Sequence, residues 1–170
     1  MFGDPHIITF DGLGFDCQAA GEFVMSTSIE NPSFQIQEQF TRINSTSMCS
    51  QTSVSTGIAI ADEGMPTVQI STSRTGGSSL NTVNSCPIDL YINGVAVSFL
   101  DYPDNHTGTP NMTIAWHDNS FFLGNRNIVN IWIKNSATFG CYLMTEVVVF
   151  NAYRPDDTIL GLLGTCNLDS

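Results

Sequence analysis

The sequence predicts an all-β fold, an antiparallel two-sheet β-sandwich with long loops and little helix. Three observations predict it. Apolar residues alternate with a period of two in one segment after another, the pattern of strands with one buried face. Asn93-Gly94 stands between two such segments and supplies the two left-handed residues that a type I′ hairpin turn needs. No window carries the three-to-four spacing of an amphipathic helix.

The elements follow in order. Pro5 fixes its own backbone and holds Asp4 extended. Ile7, Ile8 and Phe10 then read as a buried strand, and Asp11-Gly12 as the turn that ends it. Phe34, Ile36, Glu38 and Phe40 fall on one face of a strand at 33–41. Val54, Ile58 and Ile60 mark the next, and strands are expected at 67–71, 88–92, 95–99, 112–117, 128–134 and 142–150. A short helical turn is expected near 156–163. The Ser/Thr/Gly-rich stretches at 44–57 and 71–85 read as exposed loops. Trp116, Trp132, Phe121, Phe122 and Phe139 read as core, and Asp101, Asp104, Asp156 and Asp157 as solvated acids. Regular short strands separated by turn clusters favour the sandwich.

One hundred and seventy residues suit a single domain, 1–170, with a core of its own. Charged residues make up 12%, about half the usual share, and Ser, Thr and Asn take their place. That composition is common in secreted glycoproteins. Sixteen acids against five bases give a net charge of −11. Such a surface repels nucleic acid and anionic membranes and accepts cations. Asn-x-Ser/Thr glycosylation sequons stand at Asn44, Asn105 and Asn111, each in a polar stretch.

The five cysteines, at 17, 49, 86, 141 and 166, contain no Cys-x-x-Cys pair, so zinc and thioredoxin-like chemistry are poorly supported. Wide spacing suits long-range disulfides in an oxidising compartment. Spacing alone leaves the connectivity open. The odd count leaves one thiol free, bonded to a second chain, or bonded to a residue beyond this sequence. No apolar run approaches the length of a membrane span.

Catalytic signatures are absent from the sequence. His6, His106 and His117 are isolated, and there is no Gly-x-Ser-x-Gly, His-Glu-x-x-His or phosphate-binding loop. The chain is therefore expected not to be an enzyme. One bond is chemically notable. Asp4 could attack its own carbonyl and expel the Pro5 nitrogen, with His6 relaying the proton.

The ends of the chain carry a resemblance. Gly-Asp-Pro-His-Ile-Ile-Thr-Phe-Asp-Gly at 3–12, continuing through Phe15 to Phe23, Val24 and Met25, resembles the opening of the von Willebrand factor type D domain. Gly161-Leu162-Leu163-Gly164-Thr165-Cys166-Asn167 is similar to that family's closing loop. The family is a module of gel-forming mucins, tectorins and zonadhesin. The resemblance implies two packed antiparallel sheets with a calcium-bearing loop at one edge. It also implies that the two ends of the sequence are cuts within a longer secreted protein.

The same resemblance implies the ligands of a calcium ion: Asp11 from the first strand, Asn167 and Asp169 from the last loop, and the Cys166 carbonyl. The family usually brings one or two further acids after the position of Ser170, so the donor set within the chain is expected to be partial. Gly21 and Leu163 stand where the family usually has cysteines, and Cys17 and Cys166 lie a few residues away. A compensating Cys17–Cys166 bridge is therefore expected, with Cys49–Cys86 as the second pair and Cys141 as the odd thiol.

The function implied is that of a non-catalytic extracellular structural or adhesion module in a matrix, adhesive or gel-forming glycoprotein. Its partners would be other extracellular proteins or domains of the parent chain, with no nucleic acid and no direct membrane insertion. Two other functions stand beside it: a ligand- or lipid-carrying module, and acid self-cleavage at Asp4-Pro5.

Overall fold

The computed structural model describes residues 6–9, 13–28, 34–43, 52–62, 64–72, 81–83, 85–98, 106–109, 112–117, 120–124, 127–136, 140–149 and 159–160. These residues form fifteen strands and no helix, and every strand pairing is antiparallel. The strands lie in three sheets rather than the expected two.

The smallest sheet is the hairpin of β1 (His6–Ile8) and β2 (Gly14–Asp16). Thr9 closes it, its N–H donating to the Leu13 carbonyl at 2.9 Å while its hydroxyl accepts from the Leu13 N–H at 2.8 Å. Ile7 is buried, but Ile8 is 75% exposed, so the expectation that both are buried is corrected. A strand with one covered face must alternate, and adjacent isoleucines cannot both point inward.

The second sheet has eight strands. It contains β3 (Gly21–Ser28), β4 (Gln35–Arg42), β5 (Ser53–Ala61), β6 (Val68–Thr72), β7 (Asn81–Val83), β8 (Cys86–Ile92) and β9 (Val95–Val97). The third has five: β10 (His106–Thr109), β11 (Met112–His117), β12 (Ser120–Gly124), β13 (Asn127–Ser136) and β14 (Gly140–Val149), in chain order. The last strand, β15 (Ile159–Leu160), returns to the eight-stranded sheet and pairs with Ser28 and Thr27 of β3. It replaces the expected helical turn at those two residues.

The eight-stranded order is β15-β3-β4-β5-β6-β8-β7, with β9 also pairing β8. Ile92 and Val95 flank the Asn93-Gly94 turn as cross-strand partners. Asn93 has φ 50° and Gly94 φ 76°, the left-handed pair that the type I′ turn requires. The β7–β8 hairpin went unseen in the sequence because no glycine stands between Val83 and Cys86. Ser85 takes φ 61° without one.

The alternating row predicted for 33–41 is present. Phe34, Ile36, Glu38 and Phe40 are all buried. The main core unites them with Ile58, Val68, Ile70, Ile88 and Leu90 of the eight-stranded sheet and with Ile131, Ile133 and Leu143 of the five-stranded sheet, apart from Glu38 and Phe40. Phe40 instead joins Ile7 and Cys17 in a second cluster beneath the β1–β2 hairpin. Among the predicted core aromatics, Trp132 is half-buried, since Ile131 and Ile133 on either side point inward.

The stretch 53–57 is not the exposed loop expected from its composition. Ser53 to Ile58 are buried without a break. The hydroxyls there are satisfied internally. Thr56 and Thr41 share a 2.7 Å bond, Thr72 donates to the Thr56 carbonyl at 3.3 Å, and Ser53 donates to the Cys17 carbonyl at 3.4 Å. Hydrogen-bonded hydroxyls lose little on burial, which is why small polar residues can line a strand interior.

Removing side-chain volume from this core is expected to be costly. Ile133→Ala should lower unfolding free energy by about 2–5 kcal/mol in urea denaturation, whereas Ile8→Ala should change it by about 0.5 kcal/mol or less.

Candidate functional site

The β1–β2 hairpin places His6 directly opposite Asp16. The imidazole Nδ1 bonds the Asp16 carboxylate, and both side chains are substantially exposed. Sequence reasoning singled out His6 and missed Asp16. The pairing follows from the register of the hairpin, in which His6, Ile7 and Ile8 face Asp16, Phe15 and Gly14. Asp4, Pro5 and Asp11 lie outside the described residues, as do Cys166, Asn167 and Asp169. The glycosylation candidates Asn44, Asn105 and Asn111 lie outside them too. Among the described residues, no group of three or more His, Cys, Asp or Glu side chains could hold a metal ion.

The cysteines are arranged differently from the expectation. Cys86 at the start of β8 is bonded to Cys141 at the start of β14, with Cα atoms 5.6 Å apart. This overturns the Cys49–Cys86 pair, and Cys141 is not the odd thiol. The physical reason is parity. Cys86 shares a face with Ile88 and Leu90, and Cys141 shares one with Leu143, so both point into the core between the sheets. That alternation was readable, whereas sequence separation carried no information about pairing. Cys17 is wholly buried and also disulfide-bonded. Cys49 and Cys166 lie outside the described residues.

Glu38 is the other chemically distinctive group, and sequence reasoning placed it in an apolar row without giving it a role. It is 4% exposed. Its Oε1 accepts from Ser55 Oγ on β5, and both its oxygens lie 3.2 Å from Thr145 Oγ1 on β14. Burial raises its pKa to about 7, against a smaller lowering by the two hydroxyls. A glutamate at an inward position of a strand was the signal.

A family model for the von Willebrand factor type D domain matches residues 1–100. The chain belongs to that family. The match spans the β1–β2 hairpin and the eight-stranded sheet apart from β15. Type D domains occur in extracellular proteins, generally as structural modules. No helix among the described residues is long and apolar enough to cross a membrane. No curated protein sequence matches the chain.

Peptide mapping without reductant should recover a peptide joining Cys86 to Cys141. Cys86→Ser should lower the unfolding free energy by about 2–5 kcal/mol, measured by urea denaturation with the remaining bonds intact.

Proposed function

We propose that this type D domain is a non-catalytic structural and adhesion module of a larger matrix, adhesive or gel-forming glycoprotein, stabilised by disulfides and calcium. The observation that carries the reading is the Cys86–Cys141 bond within a type D chain. It joins the two larger sheets and suits an oxidising, extracellular setting. The interior between those sheets is filled by isoleucine, leucine and phenylalanine side chains, which favours a structural role over a ligand carrier. Its partners are other extracellular proteins or neighbouring domains of the parent chain.

Calcium would be held by Asp11, Asn167, Asp169 and the Cys166 carbonyl. These are hard oxygen donors of the kind the ion takes. The direction of β15 supports the pairing of these two regions. Its antiparallel register with β3 heads from Leu160 toward the Gly21 end of that strand. There Phe23 and Phe40 pack beneath the β1–β2 hairpin. The ion's contribution would be to tie the first hairpin to the last loop.

The His6–Asp16 bond favours a second reading, acid cleavage at Asp4-Pro5. The Asp4 carboxyl would attack its own carbonyl carbon and break the bond to the Pro5 nitrogen, which must take up a proton. A carboxylate bonded to His6 Nδ1 fixes the ring that could deliver that proton.

The chain expressed in a secretory eukaryotic cell should reach the medium carrying N-glycans at Asn44, Asn105 and Asn111, seen as a mass loss on enzymatic deglycosylation. Retention inside the cell without glycans would reject the extracellular assignment. Millimolar calcium should raise the melting temperature reversibly, and Asp11→Asn should abolish that rise. An unchanged melting temperature in the unsubstituted chain would remove calcium from the proposal. Incubation at pH 5 followed by intact-mass measurement decides the second reading, since an unbroken Asp4-Pro5 bond ends it.

A further inference from the structure

Glu38 occupies a seam between two apolar clusters. Its cross-strand neighbours are Phe23 on β3 and Ile58 on β5. Phe23 packs against the cluster under the hairpin, and Ile58 belongs to the main core. From the opposite sheet, Thr145 of β14 reaches the same carboxyl. Thr145 stands beside Ile131 of β13, itself fully buried in the main core. One side chain therefore links β4, β5 and β14 by hydrogen bonds at the point where both clusters meet.

Among the described residues, the surroundings of Glu38 supply no positive charge. On β4, Arg42 lies four residues along the same strand and is exposed. On β3, Glu22 pairs with Gln39 and so belongs to the other face of the sheet. β5 carries no ionisable residue. On β14, Tyr142 and Glu146 alternate with the inward residues Leu143 and Thr145, and Glu146 accepts from Asn130 at 2.9 Å. Lys134 on β13 follows inward Ile133, and Asp89 and Tyr91 on β8 flank inward Leu90. On the hairpin above, His6 and Asp16 are bonded to each other and exposed. Among the described residues, a carboxylate here meets two hydroxyl donors and no cation. A carboxylic acid can itself donate to one of those hydroxyl oxygens, so the protonated form makes fuller use of the site.

We propose that Glu38 is a proton-operated latch between the two larger sheets, closing β14 onto β4 and β5 when protonated and loosening that seam when ionised. The domain is then tighter in a mildly acidic compartment than above neutrality.

The sign follows from linkage. The folded-state pKa is raised from the ordinary 4.5 to about 7. Below the ordinary value both folded and unfolded chains hold the proton, and the contribution of the latch is fully present. As pH rises between the two values, the folded chain retains a proton that the unfolded chain releases, so stability falls. Above the folded value the loss is complete. Between pH 5 and pH 8 this one group should raise the unfolding equilibrium constant roughly fifty- to hundredfold.

The test is urea denaturation of the full chain, disulfides intact, at pH 5, 6, 7 and 8, with Glu38→Gln beside the unsubstituted protein. The amide keeps the shape and a donor but does not titrate. The unsubstituted chain should lose roughly fifty- to hundredfold more in its folding equilibrium over this range than the variant loses. Equal pH dependence would overturn the proposal. A carbon-13 NMR titration of the Glu38 carboxyl in the unsubstituted protein gives an answer even if the variant does not fold. A midpoint near 7 is expected, and one at or below 5 rejects the latch. Hydrogen exchange separates a latch from a merely buried acid. Amides of β14 and β5 should lose protection at pH 8 relative to pH 6, after correction for intrinsic rates, more than those of β10 and β11. Uniform protection would show that the seam does not open.

Discussion

The fold depends on the contact between β14 and the middle of the eight-stranded sheet. Ile131, Ile133 and Leu143 cover Ile36, Ile58, Ile70 and Leu90, and the Cys86–Cys141 bond fastens the same two layers at one end. Each layer alone would expose a face of β-branched residues to water. Burial of a single such side chain contributes about 1.5–3 kcal/mol, so the association of the sheets supplies most of what offsets chain ordering. The hairpin of β1 and β2 adds a smaller cluster at the other end, with Cys17 and Phe40 buried beneath it.

Much of this was legible because alternation leaves a plain trace. The row from Phe34 to Phe40 and the Asn93-Gly94 turn were readable one residue at a time, and both occur as read. What failed had a different cause. Ser53, Ser55 and Thr56 are polar by composition but satisfied by partners far along the chain, and no local pattern reveals a distant hydrogen bond. The β7–β8 hairpin was missed because its loop takes a left-handed serine where a glycine would have signalled the turn. The cysteine pairing was missed because the positions of the family's cysteines were weighed and strand parity was not.

The candidate sites divide in the same way. His6 was visible as an isolated histidine, but Asp16 became its partner only through hairpin register. Glu38 was visible as a member of an inward row, yet its environment is made by Ser55 and by Thr145, more than a hundred residues away. A sequence shows that a charge has been placed on an apolar face. The tertiary fold decides whether that charge meets a cation, a metal or, as here, two hydroxyls.

Among the described residues, one border of the eight-stranded sheet is shared, because β7 covers Cys86 to Ile88 and β9 covers Leu90 to Ile92, each with three residues. A long flat border invites strands of other molecules to add to it, and short interrupted ones do not. A domain rich in β-branched residues and repeated or concentrated outside the cell would be exposed to that hazard continuously. At this border the forked pairing of β8 shortens the template from which such stacking would grow.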